Sequence, residues 1–71
     1  MNIYAEPGTK VKFVEQNVSE SSITYRGDDD PRGVLFVGQE YIIDHTEVHS
    51  YHTKVFLKGY PGKSFNSVWF E

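Results

Sequence analysis

Several short segments of the chain alternate apolar and polar residues with a period of two, which is the spacing of β-strands with one buried face. In Thr9 to Glu15, two apolar residues alternate with lysines. Glu40 to His49 is a longer segment rich in β-branched residues, and Thr53 to Leu57 alternates again. We predict a strand in each segment, with a hairpin centred on Ser50-Tyr51 between the last two.

Regular alternation also assigns each residue of the long predicted strand to a face. Tyr41 and Ile43 fall on one face. The opposite face carries Ile42, Asp44, Thr46 and Val48. Both faces are apolar at the start of this strand, so we expect that end to be covered and the far end to be more exposed. In the following strand, Val55 and Leu57 share one face, and Lys54 and Phe56 lie on the other.

The rest of the C-terminal half predicts turns and one further strand. Lys58 to Lys63 contains two glycines and a proline, which is typical of a turn region. Phe65 to Glu71 predicts a tight turn at Asn66-Ser67 and a last strand over residues 68–70. No long segment has apolar positions at helical spacing, so we predict no long α-helix.

Gln16 to Gly33 differs from the rest of the chain because it is rich in serine, glycine and aspartate. This composition is typical of a loop. We predict a long polar loop at residues 16–33, with a short strand at Ser22 to Tyr25. Loops of this length are uncommon in compact domains and are usually functional or mobile.

The predicted elements amount to four or five short antiparallel strands in a single domain over residues 1–71. A lone hairpin is not stable in water, whereas a closed small barrel hides apolar faces and removes exposed strand edges. The predicted fold class is therefore all-β, in the form of a small SH3-like barrel. Aromatic residues, which are concentrated after Gly38, are expected to form most of its core.

Three stretches of the chain after residue 33 resemble known proteins. VLFVGQEYII, at Val34 to Ile43, resembles the opening of many small SH3-like barrels, in which the glycine lies in a diverging turn and the tyrosine begins a core strand. TEVHSYHTKVFL and FNSVWFE resemble small uncharacterised proteins encoded by phages and prophages of Gram-positive bacteria. The resemblance covers residues 34–71 and implies a phage or prophage origin, but it carries no functional residue onto this chain. Small phage proteins of this sort often bind a host protein or assist phage replication and regulation.

Composition narrows the class of partner. Seven Lys and Arg residues stand against ten Asp and Glu residues, for a net charge of −3. A nucleic-acid binder normally carries a basic stripe that neutralises phosphates, so this balance disfavours nucleic acid. The absence of cysteine excludes disulfides and thiolate metal sites. The chain shows neither a signal peptide nor a bilayer-spanning apolar run, so we expect no membrane association and a cytoplasmic protein, in the host cytoplasm if it is phage encoded.

Three histidines lie at or near the predicted hairpin tip. His45 and His49 share a strand face but lie about 13 Å apart, too far to bind one ion. His49 and His52 face each other if Ser50-Tyr51 forms a two-residue turn. A four-residue loop is the alternative, because Ser-Tyr does not favour the positive backbone angles of such turns. We interpret these residues as a polar tip suited to a pH-sensitive contact surface, and we predict no metal site.

Asp28, Asp29 and Asp30 form an acidic run. A calcium loop spaces its ligands at alternating positions and usually ends in a bidentate glutamate. Three consecutive aspartates followed by Pro31 do not match that spacing. We interpret the run as a solvated acidic loop or as an acidic contact to a basic partner surface.

The motifs of common enzyme classes are missing from the sequence. It has no Gly-x-Ser-x-Gly motif, no glycine-rich phosphate loop and no cysteine nucleophile. Glu47 and His49 are neighbours on one predicted strand face, but this spacing is common by chance. A small barrel also has too little interior for a ligand-sized pocket. We predict that the protein is not an enzyme and uses no cofactor.

Aromatic residues and lysines are interleaved in the second half. The residues concerned are Tyr51, Lys54, Lys58, Tyr60 and Trp69. Such residues can stack on nucleic-acid bases or form a protein-binding hot spot, and the net acidity favours protein. Stacking of a nucleotide-like small molecule at a dimer interface is a third use.

We therefore predict a non-enzymatic protein-interaction module that binds a host or phage protein. The predicted contact residues are Asp28, Asp29, Asp30, His49, Tyr51 and His52. The alternative is a single-stranded nucleic-acid-binding barrel. It would use Lys54, Lys58, Tyr60 and Trp69. A structural component of the virion is a third class.

Overall fold

A computed structural model describes residues 1–16, 18 and 28–71. Four antiparallel strands form one sheet in the order β1-β2-β3-β4. The strands are β1 (Lys10–Lys12), β2 (Glu40–Val48), β3 (Thr53–Leu57) and β4 (Phe65–Asn66). A short 3-10 helix, Ser67–Trp69, follows β4, and it is the only helix in the described residues. The predicted all-β class is confirmed. The strand predicted at Ser22 to Tyr25 and most of the predicted loop lie outside the described residues.

Strand positions follow the alternation of the sequence. In β1, Val11 is buried between two exposed lysines. In β3, Thr53, Val55 and Leu57 are buried, while the two residues between them are partly exposed. The predicted period of two is therefore confirmed in both strands, because each has one face against the core and one face toward water.

The longest strand contains a β-bulge. Ile43 pairs with Leu57 and His45 pairs with Phe56, so Asp44 has no partner in the ladder. A bulge inserts one extra residue into one strand and places two residues opposite one. Asp44 and His45 are both exposed as a result.

The bulge reverses the predicted faces of the second half of β2. Thr46 pairs with Val55, so it lies on the same inward face as Ile43, and Val48 follows on that face. The prediction that placed Thr46 and Val48 with Ile42 was wrong, since one inserted residue moves every later side chain to the opposite face.

The core is formed by the buried residues of the four strands together with buried residues from outside them, such as Leu35 and Trp69. Ile43, Val55 and Phe65 are fully buried. The buried apolar residues are Val11, Phe13, Leu35, Ile43, Val55, Leu57, Phe65, Trp69 and Phe70. Among the described residues, no helix is long and apolar enough to cross a membrane.

The C-terminal segment departs from the predicted turn and strand. The Asn66 side chain accepts a hydrogen bond from the Val68 amide at 3.1 Å and begins the 3-10 helix, a capping role that asparagine favours. Phe70 alone then forms a β-bridge with Phe13. The prediction of a strand over residues 68–70 was therefore wrong at Val68 and Trp69, which lie in the helix.

The sheet is open, and the predicted closed barrel is not confirmed. The chain nevertheless returns to β1 after the 3-10 helix. The Val14 amide donates to the Trp69 carbonyl at 2.8 Å, and the Glu71 amide donates to the Lys12 carbonyl at 2.8 Å. The rings of Phe13 and Phe70 meet edge to face with their centroids 5.8 Å apart. β1 thus contacts both β2 and the C-terminal residues.

Candidate functional site

The outward face of the β2-β3 hairpin carries three cross-strand pairs of polar and aromatic side chains. The ladder pairs His45 with Phe56 and Glu47 with Lys54, and the His49 amide donates to the His52 carbonyl at 2.8 Å just beyond its end. Because side chains alternate along each strand, all six point away from the core. We call this set the outer ladder: His45, Glu47, His49, His52, Lys54 and Phe56.

The hairpin tip brings His49 and His52 together. Their rings are nearly parallel, at 16°, with centroids 4.8 Å apart. His49 Nε2 lies 3.3 Å from Glu47 Oε1. The two rings thus face each other, an arrangement that the sequence predicted only for a two-residue turn at Ser50-Tyr51. No described residue other than glycine has a positive φ, so Ser50-Tyr51 does not adopt the two-residue turn that needs such angles.

Tyr51 projects from the tip and is 92% exposed. At this exposure its ring makes no contribution to the core, whose residues do not include it. A tyrosine ring that remains in water carries a large apolar area and a polar hydroxyl, a combination enriched at protein interfaces.

The opposite end of the outer ladder is organised by the bulge. The His45 ring stacks on Phe56, with centroids 4.2 Å apart and an interplanar angle of 8°. Its Nδ1 lies 2.6 Å from Asp44 Oδ2. When the ring is neutral, the proton shared with this carboxylate lies on Nδ1, and Nε2 is left as a hydrogen-bond acceptor.

A groove of ≈ 210 Å³ adjoins this stacked pair. Tyr60 forms part of its wall and is held by edge-to-face contacts with Tyr41, at 5.9 Å, and Phe65, at 6.4 Å, between ring centroids. The lining residues are Asp44, His45, Phe56, Leu57, Lys58, Gly59, Tyr60, Pro61 and Gly62. The groove therefore combines aromatic walls with one carboxylate and one ammonium group.

Two of the three aspartates of the acidic run are buried or hydrogen-bonded within the fold. Asp28 is 4% exposed. The Asp29 amide donates to the Ser64 carbonyl at 2.7 Å, and Asp29 Oδ2 accepts from the Ser64 amide at 2.7 Å. The interpretation of a solvated loop therefore holds for Asp30 but not for Asp28.

Asp30 is exposed and forms a two-pronged ion pair with Arg32. Arg32 Nε donates to Asp30 Oδ1 at 2.9 Å, and Arg32 Nη2 donates to Oδ2 at 2.7 Å. These side-chain hydrogen bonds, together with the Arg32 amide, hold the pKa of Asp30 below its ordinary value. Part of the charge of Asp30 is thus satisfied within the chain.

The residues of the nucleic-acid alternative lie in three different environments. Lys58 and Tyr60 line the groove, and Lys54 lies on the outer ladder opposite Glu47. Trp69 is 2% exposed and belongs to the core, so it presents no ring face to a base.

Sequence reasoning missed the His45–Phe56 pair and its groove. One signal was present, because Phe56 is an apolar residue on the polar face of a strand whose other face is Val55 and Leu57. The partner could not be identified, since the bulge that turns His45 and Asp44 to the same face leaves no periodic pattern.

In the part of the chain that the structure describes, no group of three or more His, Asp or Glu side chains is placed to hold a metal ion. Comparison with known proteins finds no match for this chain: no protein-family model, no curated protein and no solved structure matches it.

Proposed function

We propose that this protein is a non-enzymatic protein-interaction module of phage or prophage origin that binds a host or phage protein through the hairpin tip and the outer ladder. The observation that carries the proposal is Tyr51, 92% exposed at the end of the hairpin beside the stacked pair of His49 and His52. Tyrosine is among the residues that dominate binding energy at protein interfaces.

The outer ladder extends the contact surface from the tip toward the groove. Along β2, the distance from His45 to Val48 is about 10 Å at 3.3 Å per residue, and the tip that carries Tyr51 lies beyond the end of the strand. A stable interface covers about 800 Å² on each partner, and one aromatic side chain supplies roughly 200 Å² of this. The tip alone is therefore too small, and the ladder supplies a continuous surface beside it.

Within the acidic run, Asp30 is the residue that supports a contact with a basic partner surface. It is exposed, whereas Asp28 is buried and Asp29 is bonded to Ser64. The Arg32 side chain already neutralises part of its charge, so we assign Asp30 a peripheral role.

We also propose that the open sheet is the main part of an SH3-like barrel. Three features support this proposal: the β1-β2-β3-β4 order, the 3-10 helix after β4, and the bridge between Phe13 and Phe70 that brings the C-terminal residues back to β1. Such a return hides strand edges that would otherwise be open.

The test is capture of partners from host lysate on immobilised wild-type protein, Tyr51→Ala and Tyr4→Ala, with mass spectrometry of the bound proteins. Tyr4 is a matched control because it is a second tyrosine exposed to 74%. We expect one protein to be lost with Tyr51→Ala and retained with Tyr4→Ala. Equal capture by all three proteins would contradict the proposal.

Single-stranded nucleic acid is the second candidate ligand, favoured by the position of Lys58 and Tyr60 beside the His45–Phe56 stack. Net charge and the burial of Trp69 disfavour it. A salt titration with short DNA and RNA oligonucleotides separates the candidates. Micromolar binding that weakens steeply with salt would favour nucleic acid, and we expect no binding at low salt.

A further inference from the structure

We propose that the groove beside His45 is the pocket for one aromatic side chain, tryptophan or tyrosine, of the protein partner. This inference rests on the protein-binding function proposed above and names the chemistry of the residue that anchors the partner. It is carried by the shape, size and charge of the groove.

One wall of the groove is flat and held in place. The His45 ring lies on Phe56 at 4.2 Å and 8°, and the Asp44 carboxylate fixes its orientation through Nδ1 at 2.6 Å. Aromatic rings associate best with other rings in offset or edge-on arrangements, and a wall that is already ordered loses little entropy on binding.

A second aromatic wall is supplied by Tyr60. Its edge-to-face contacts with Tyr41 and Phe65 anchor the ring to the core, so it does not depend on a ligand for its position. Gly59 and Gly62 contribute lining without side chains. The side chains that this turn contributes to the lining are therefore those of Lys58, Tyr60 and Pro61.

The size of the groove favours a side chain over a complete small molecule. Its volume of ≈ 210 Å³ is smaller than the roughly 300–1,000 Å³ of pockets that enclose drug-sized ligands. Interface pockets of this scale typically receive one anchoring residue, most often an aromatic residue or arginine.

The charges of the groove favour a neutral occupant. Its lining has one carboxylate, Asp44, which is already hydrogen-bonded to His45, and one ammonium group, Lys58. Neither charge sign predominates, so neither a cationic nor an anionic side chain is selected. The indole N–H or phenol O–H of an aromatic residue can donate to His45 Nε2 or to Asp44. A nucleotide phosphate would face this carboxylate and a chain with net charge −3.

The proposal is tested by NMR titration of the ¹⁵N-labelled full chain with four probes: N-acetyltryptophanamide, N-acetylalaninamide, N-acetyllysinamide and AMP. We expect saturable shifts at the amides of Lys58, Gly59, Tyr60 and Gly62 with the tryptophan probe, and a Kd of about 1 mM. The alanine and lysine probes should leave these amides unchanged. Absence of shifts with the tryptophan probe, or larger shifts with AMP, would overturn the proposal.

Variants then assign the binding to the stacked wall. Phe56→Ala should raise the Kd of the tryptophan probe by about fivefold, because the substitution removes one ring contact. Lys54→Ala is the matched control, since Lys54 lies on the same face of β3 and does not line the groove. Dispersed amide spectra check that each variant is folded, and His45→Ala replaces Phe56→Ala if the latter unfolds. Unchanged affinity in the folded variant would overturn the assignment.

The same titration separates this inference from the function on which it rests. Tyr51→Ala should leave the affinity for the tryptophan probe unchanged, whereas it should abolish capture of the partner. Loss of partner capture with no probe binding would overturn the pocket and leave the interaction module intact. Probe binding together with partner capture that is insensitive to Tyr51 would retain the pocket and overturn the role of the tip.

Discussion

Asp29 and Ser64 are joined by two hydrogen bonds although they lie 35 positions apart. The Asp29 amide donates to the Ser64 carbonyl, and the Ser64 amide donates to the Asp29 carboxylate, each at 2.7 Å. This double contact attaches the acidic run to the segment that leads into β4. Because Ser64 is 7% exposed, water does not readily replace the Asp29 carboxylate as the acceptor for the Ser64 amide.

We therefore expect Asp29→Ala to lower the free energy of unfolding by ~1–3 kcal/mol, since it leaves a buried amide without its acceptor. Asp30→Ala should change it much less, because Asp30 is exposed and its ion pair with Arg32 lies in water. Urea unfolding followed by circular dichroism measures both. Equal stability of the two variants would show that the Asp29–Ser64 contact is not important. Among these two residues, Asp30 is thus the appropriate one to substitute in binding experiments.

The ion pair between Asp30 and Arg32 predicts that the pKa of Asp30 will change when Arg32 is replaced. Arg32→Ala should raise the pKa of Asp30 part of the way toward its ordinary value, because the side-chain hydrogen bonds that favour the charged form are removed while the hydrogen bond from the backbone amide of residue 32 remains. Carboxyl ¹³C NMR over a pH series measures this pKa directly. In the wild type, the stabilising contribution is present above the ordinary aspartate pKa and is lost as the pH falls through the lower folded value. A pKa that does not change in Arg32→Ala would contradict the assignment.

The bulge predicts different outcomes for two single-residue deletions in β2. Deleting Asp44 removes the unpaired residue and keeps His45 opposite Phe56, so the remaining ladder is regular and should fold. Deleting Thr46 restores a regular ladder only by placing His45 opposite Val55 on the buried face. We expect the second deletion to lower the free energy of unfolding by a further ~1–3 kcal/mol, because a polar ring is buried.

Urea unfolding and cross-strand nuclear Overhauser effects check both deletions. The variant without Asp44 should retain the contacts between Glu47 and Lys54. If the two deletions were equally destabilising, the bulge would not control which face of β2 is buried.

Trp69 predicts a large effect on stability. It is 2% exposed, so Trp69→Ala should lower the free energy of unfolding by about 3–5 kcal/mol, a large share for a domain of this size. Trp69→Phe is the conservative control and should lower the free energy of unfolding by less. Circular dichroism is the appropriate probe, because the substitution removes the fluorescent indole. Wild-type stability in Trp69→Ala would show that the indole is not part of the core.

The sequence predicted the strands better than their irregularities. Period-two patterns placed β1, β2 and β3, since each strand has one buried face. The bulge at Asp44 and the 3-10 helix that buries Trp69 were not predicted, because an inserted residue and a local side-chain cap leave no periodic signal.

Of the candidate site, the sequence predicted contacts between residues close together in the chain and not contacts between distant ones. The proximity of His49 and His52 follows from local hairpin geometry, and the structure confirms it. The pairing of Asp29 with Ser64 joins distant parts of the chain, and local sequence carries no information about such a contact.

The bonds between Lys12 and Glu71 have a consequence for the order in which the protein is made and folded. Synthesis proceeds from the N-terminus, so β1 emerges early but acquires its second backbone neighbour only when residues 69–71 have been added. Contacts across so long a separation form slowly. Until then one side of β1 is available to other chains, and loss of the bonds to Glu71 would leave that side open.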